Sequence, residues 1–113
     1  MKVTETKPCQ YCPTVQTTLN VIGGKWKPLI LWHLEQETLR FSELHRRIGD
    51  ITQKMLTQEL RELAKDELIK RTVYPEIPPR VEYSITDYGK TVQPILKSMH
   101  EWGLNHNKRA ATL

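Results

Sequence analysis

The sequence predicts a mainly α-helical fold carrying one small β-hairpin. Three observations predict it: apolar residues recur at three- and four-residue spacing through most of the 113 positions, the period switches to two after Leu68, and a proline cluster separates two alternating runs. A chain of this length makes one domain with a modest core, so a partner subunit is a reasonable expectation. There is no internal repeat or low-complexity tract, and only residues 1–8 and 109–113 read as frayed ends of a single domain spanning 1–113.

Each element follows from local chemistry. Pro13 opens a helix in which Val15, Leu19 and Ile22 recur on one face until Gly23-Gly24 stops it. Trp26, Leu29, Ile30 and Leu34 repeat that spacing, with Pro28 tolerated in the first turn, so Lys27 to Leu34 reads as a short helix at the centre of the core. Leu39-Arg40-Phe41 is a stub strand. Ser42 with Glu43 signals the start of a helix with an apolar face of Leu44 and Ile48, ended by Gly49-Asp50. Thr52 caps a longer helix to Asp66: Leu56, Leu60, Leu63 and Ala64 form its stripe, and Lys54, Thr57, Gln58, Arg61 and Lys65 lie opposite.

Beyond Leu68, Ile69, Arg71 and Val73 alternate with Lys70 and Thr72, and Val81, Tyr83 and Ile85 alternate with Arg80, Glu82 and Ser84. The connection Pro75-Glu76-Ile77-Pro78-Pro79 lacks the backbone donors needed for pairing and should protrude as a stiff loop. Thr86 then caps a last helix with Val92, Ile95, Leu96, Met99 and Trp102 along one stripe, longer than a small core requires. The surplus apolar length asks for a partner.

Charge and motifs narrow the function. Seventeen Lys and Arg against thirteen Asp and Glu leave +4, a basic balance that suits polyanions only if the charges are suitably placed. No apolar run approaches a membrane span, and the polar opening from Met1 to Glu5 lacks the apolar core of a signal peptide, so an intracellular, cytoplasmic protein is expected. Two cysteines are too few for a disulfide framework. Gly23-Gly24-Lys25 is no phosphate loop, because the upstream glycine is missing and Trp26 stands where a magnesium-binding hydroxyl belongs. With no nucleophile elbow, no zinc-protease helix and no dinucleotide fingerprint, the chain is read as no enzyme, with no cofactor. Trp26 and Trp32 are read as core rather than as the lining of an effector pocket, and His33 and His45 as ordinary helix residues.

Helix, tight turn, helix and a two-stranded ribbon with a projecting loop is the order of a winged helix-turn-helix, whose second helix enters the major groove of DNA. The exposed face beginning near Gln53 has the residue types that reach base edges and phosphates, and its acids Glu59, Glu62 and Asp66 fall to the flanks. Gln53, Lys54, Thr57, Gln58 and Arg61 are therefore the expected readers. Arg40, Ser42, Arg46 and Arg47 before them, and Lys70, Arg71 and Arg80 in the hairpin, are candidates for the phosphate backbone. Taken alone, each of these positions is equally an ordinary solvated surface, and a winged helix also serves as a protein-docking module; the order of elements favours DNA.

These residues carry a resemblance. Cys12-Pro13, Ile22-Gly23-Gly24-Lys25-Trp26, Arg40-Phe41-Ser42-Glu43-Leu44, the run Gln53 to Leu63, Pro78-Pro79-Arg80-Val81-Glu82-Tyr83 and Thr86-Asp87-Tyr88-Gly89 resemble the HxlR-type bacterial transcription regulators, a branch of the MarR-like winged-helix proteins. The resemblance spans about Cys9 to Asn107. It implies a homodimer on a pseudo-palindromic operator, with Gln53–Leu63 as recognition helix and Pro75–Arg80 as wing. It also implies dimerisation through the terminal helices, here Thr14–Ile22 and Asp87–His106, with Val15, Leu19, Ile95, Leu96, Met99 and Trp102 at the interface.

In such regulators the cysteine before the proline often senses oxidants or electrophiles, which makes Cys12 a candidate redox switch and Cys9 its resolving thiol. A helix N-terminus lowers a thiol pKa, and Cys12 sits at one in this reading. Inert thiols remain the alternative. So does a metal-responsive regulator, in which the pair would need His100, His106 or a second chain's cysteines to complete four zinc ligands. The resemblance leaves room for a small-molecule effector. Two departures stand out: Glu67 where relatives commonly have the glycine that ends the recognition helix, and the paired cysteines where many have only the one before the proline.

Overall fold

Pro13 at the first position and Gly23 just beyond the last frame helix α1, Pro13–Ile22, in the computed structural model, which describes residues 13–112. Helix α2 runs Lys27–Gln36, strand β1 is Leu39–Arg40, and helices α3 and α4 are Phe41–Ile48 and Gln53–Lys65. Strands β2, Ile69–Tyr74, and β3, Arg80–Ile85, form the expected hairpin, followed by a 3-10 turn at Gly89–Val92 and helix α5, Gln93–Thr112. The chain is mainly helical with a small sheet.

Several boundaries differ from the sequence reading for local reasons. On α2 the buried residues are Lys27, Ile30, Leu31 and Leu34, whereas Leu29 is exposed, because the helix packs against α3, β3 and α5 along the arc i, i+3, i+4, i+7 that begins at the lysine. Helix α3 starts two residues earlier than expected. Arg40 rather than Ser42 is its N-cap, and the Arg40 backbone N–H donates to Glu43 Oε1 at 2.8 Å. The stub strand pairs antiparallel with β3, Leu39 opposite Tyr83 and Arg40 opposite Glu82, so the hairpin becomes a three-stranded sheet of order β1-β3-β2.

One backbone conformation and two hydrogen bonds fix the α3–α4 turn. Gly49 adopts φ +92°, a left-handed conformation that a side chain would oppose. His45 Nε2–H donates to the Ile51 carbonyl at 2.8 Å, and Thr52 Oγ1 accepts from Met55 N–H at 3.1 Å, the expected cap of α4. Leu56, Leu60 and Leu63 of α4 then bury completely against Ile30, Leu31 and Leu44 in one continuous core.

Helix α4 does end in a left-handed residue. Glu67 has φ +64°; its N–H donates to Ala64 O and the Leu68 N–H to Leu63 O, each at 3.0 Å, which closes a Schellman turn with Leu63 and Leu68 both buried. The side chain at 67 opposes this conformation by about 1 kcal/mol. Glu67→Gly is therefore expected to stabilise the fold by up to about 1 kcal/mol, partly offset by a more flexible unfolded chain. Urea unfolding that shows the glycine variant to be less stable would refute the strain.

Thr86 does not cap α5, which begins only at Gln93; its Oγ1 instead accepts from the N–H of Gly89, the first residue of the 3-10 turn, at 2.8 Å. Helix α5 continues to Thr112, through residues expected to fray. Leu96 is a second correction, since only 3 % of it is exposed and it belongs to the chain's own core, unavailable to a partner. The other apolar residues assigned to a partner face the outside: Val15 and Leu19 of α1 are 54 % exposed, and Ile95, Met99 and Trp102 of α5 are exposed as well. These arms and the hairpin loop give a radius of gyration of 16.7 Å, against roughly 13 Å for a compact domain of this length.

Candidate nucleic-acid interface

Helix α4 buries its leucine stripe and so presents the opposite face outward. Gln53, Lys54, Gln58 and Arg61 are exposed and Thr57 is half-buried among them. Two hollows flank this face. One, of about 530 Å³, is lined by Phe41, Gln53, Lys54, Thr57, Gln58 and Arg61. The other, of about 470 Å³, lies between α4 and the sheet and is lined by Thr57, Leu60, Arg61, Ala64, Arg71 and Tyr83. The structure thus brings all five expected readers together, and Arg61 lines both hollows.

The hydrogen bonds already made restrict what each reader can do. Thr57 Oγ1 donates to the Gln53 carbonyl at 2.9 Å, which leaves the hydroxyl as an acceptor. Gln58 Nε2 donates to Glu62 Oε2 at 2.8 Å, and the other carboxylate oxygen of Glu62 accepts from Lys27 Nζ at 2.5 Å. The Lys27 and Gln58 hydrogen bonds hold the Glu62 carboxyl below its ordinary pKa of 4.5. Glu62 therefore does more than occupy a flank, and Lys27, only 8 % exposed, does not belong to the basic surface at all. The available signal was position: Lys27 falls on the apolar arc of Ile30, Leu31 and Leu34.

The hairpin candidates separate by register. Arg71 stands opposite Tyr83 and Lys70 opposite Ser84, so the two basic residues project from opposite faces of the sheet, and it is Arg71 that joins the α4 hollow. Arg80 is engaged within the wing: its guanidinium pairs with Glu76 at 3.1 Å and Glu82 at 3.5 Å and lies 4.0 Å over the Tyr74 ring. Its charge is matched locally, unlike that of an open phosphate contact. Among the described residues, Arg40, Arg46, Lys54, Arg61, Lys70 and Arg71 have no carboxylate partner, whereas Arg47 pairs with Glu37 at 3.2 Å. Arg40, Ser42 and Arg46 are exposed on α3 and its cap. In the wing loop the charged side chain, Glu76, is the one paired with Arg80, and beside it Ile77 is fully exposed.

Cys9 and Cys12 lie outside the described residues. His100 stacks on Trp32 and His106 on Trp102, each with ring centroids 4.9 Å apart. Among the described residues no three His, Cys, Asp or Glu side chains are placed to share a metal ion, and no helix is long and apolar enough to cross a membrane.

Helix α3, its glycine turn, helix α4 and the hairpin with its protruding loop define a winged helix-turn-helix, the architecture of DNA-binding regulators. The comparisons with known proteins agree. The HxlR-like helix-turn-helix family matches residues 21–111, and the chain belongs to this family of transcriptional regulators. An uncharacterised HTH-type transcriptional regulator of Methanothermobacter thermautotrophicus is 56 % identical over 94 residues, covering 83 % of this chain and 72 % of its own. The solved structure of the HTH-type transcriptional regulator ytcD is 52 % identical with a TM-score of 0.81, covering 83 % of this chain and 96 % of its own. The redox regulator HypR in its oxidized form is 49 % identical with a TM-score of 0.80, again over 83 % of this chain and 96 % of its own. As a member of a regulator family the chain is no enzyme.

Proposed function

We propose that the protein is a homodimeric regulator that reads a pseudo-palindromic operator with α4 in the major groove and adjusts its affinity through Cys12. The observation that carries the DNA half is the outward face of α4. It holds Lys54 and Arg61, without carboxylate partners among the described residues, beside Arg71, at a helix whose width suits the roughly 12 Å groove. Gln53, Lys54, Thr57, Gln58 and Arg61 read bases there. Arg40, Ser42, Arg46, Lys70 and Arg71 contact the backbone.

Exposed apolar side chains on α1 and α5 support the dimer. Helix α1 has ten residues and buries only Ile22, and a helix that short is marginal in water without packing. Val15 and Leu19 would pack against Ile95, Met99 and Trp102 of a second chain. Two recognition helices related by a two-fold axis reach half-sites about 34 Å apart, so the operator is an imperfect inverted repeat. For the signal, the similarity to HypR supports a redox role, with Cys9 as the resolving thiol.

Selection of binding sites from random duplex by the purified protein, followed by footprinting, tests the DNA half: two protected half-sites one turn apart are expected, and a single asymmetric half-site at saturation would overturn the dimeric reading. Failure to shift any duplex at low salt would instead favour a protein-docking module. On the operator so found, Cys12→Ser is expected to abolish the diamide-dependent change in affinity; an undiminished response would remove the thiol from the switch.

A further inference from the structure

Glu62 touches two residues of quite different character. Lys27 Nζ, from the buried arc of α2, donates to one carboxylate oxygen, and the exposed Gln58 amide one turn earlier on α4 donates to the other, at 2.5 and 2.8 Å. A carboxylate in this pairing only accepts hydrogen bonds. Gln58 must therefore turn its NH2 end toward Glu62, which fixes the sense of an amide that would otherwise flip between two arrangements of nearly equal shape. One amide hydrogen is engaged by Glu62; the second and the Oε1 carbonyl remain, the donor and acceptor with which glutamine pairs to the N7 and N6 edge of adenine. Lys27 supplies the matching charge, so an acid is held within the reading helix without an unmatched negative charge beside phosphates.

We propose that Glu62 is a specificity-positioning residue: anchored by Lys27, it locks the orientation of the Gln58 amide and thereby sets which base Gln58 accepts. This rests on α4 being the base-reading helix. Glu62 itself touches no base. The chemistry requires the acceptor-only carboxylate: an amide at 62 would turn its oxygen to the Lys27 ammonium and its NH2 to Gln58, so the Gln58 amide would have to accept and reverse its sense.

The test uses the selected operator with every position replaced in turn by each other base pair. Gln58→Ala identifies the position that Gln58 reads, where the wild type should discriminate roughly 10- to 100-fold. Glu62→Gln, nearly isosteric, is expected to lower discrimination at that same position several-fold while affinity for random duplex and discrimination elsewhere hold, and to add nothing on the Gln58→Ala background. Lys27→Met with Glu62→Gln leaves net charge unchanged and serves where the single variant is unstable; it should behave alike. Full retention of discrimination in the Glu62 variants overturns the proposal, as does equal weakening on every duplex, which a merely structural tie between α2 and α4 would produce. A Gln58→Ala variant that loses base preference at no position relative to wild type overturns it too. A wild-type protein that binds no duplex is a different failure, that of the α4 reading itself.

Discussion

Replacing Gly89 with alanine is expected to cost about 3 kcal/mol of stability and to lower the melting temperature by roughly 10 °C. Backbone conformation is not the reason; space is. A Cβ at this buried position would strike the Leu68 carbonyl oxygen and come within 2.7 Å of Ile85 Cγ1. That carbonyl has little freedom to retreat, since it accepts the Thr86 N–H at 3.0 Å and shares the Thr86 hydroxyl, at 3.0 Å, with the Glu67 carbonyl at 2.6 Å, while Thr86 Oγ1 accepts from Gly89 N–H. These groups thus fix the close approach between the exit of α4, the end of β3 and the start of the last helix. Relief of the clash would shift α5 relative to the reading helix, so operator affinity should fall with stability. Urea unfolding decides the matter: a loss under about 0.5 kcal/mol, within the range of ordinary surface changes, would show that this junction is loosely packed.

The junction was partly legible in the sequence, in the words Thr86-Asp87-Tyr88-Gly89 and in the period change at Leu68. Periodicity exposed every helix and both hairpin strands because burial on one face imposes it. It misplaced elements where a single polar group reverses the local logic. Lys27 interrupts the apolar arc of α2 chemically but not geometrically, so the face was drawn through Leu29 instead of Leu31. The start of α3 was drawn at Ser42, the usual capping residue type, whereas Glu43 reaches back to the backbone of Arg40 without needing a hydroxyl. Glu67 makes a left-handed turn against its own propensity because Leu63 and Leu68 bury across it. At the site, residue types identified the readers on α4, since the solvent-facing side of an amphipathic helix follows from its leucines. The four-residue spacing of Gln58 and Glu62 allows their hydrogen bond and the alternation of Lys70 with Arg71 puts them on opposite faces, but nothing in the sequence announces that Lys27, 35 residues before Glu62, reaches it. As a candidate for the phosphate backbone Arg80 resembles Lys70 and Arg71 in the sequence; the partners that occupy it, Glu76 and Glu82, are close in sequence, and only the hairpin geometry turns them onto one guanidinium.

Arg61→Ala and Arg80→Ala are expected to separate reading from shaping. Arg61 lines both hollows of α4 and has no carboxylate partner among the described residues, so its loss should cost about 1–3 kcal/mol of discrimination at one operator position if it pairs with a guanine edge. The Arg80 guanidinium is matched by two carboxylates, and its removal leaves Glu76 and Glu82 unmatched in the wing, where they would repel the phosphate backbone. Arg80→Ala should therefore weaken all duplexes alike, and Glu76→Gln with Glu82→Gln should restore the lost affinity in that background. A guanidinium that held a phosphate directly would behave otherwise: neutralising its neighbours would raise affinity without recovering the lost contact, and the slope of log affinity against log salt would stay shallower by about one. Titrations of the four proteins at two salt concentrations distinguish these cases. Arg61→Ala losing equally on operator and random duplex would make that residue a backbone contact, and the burden of base reading on α4 would pass to Gln53, Lys54 and Gln58.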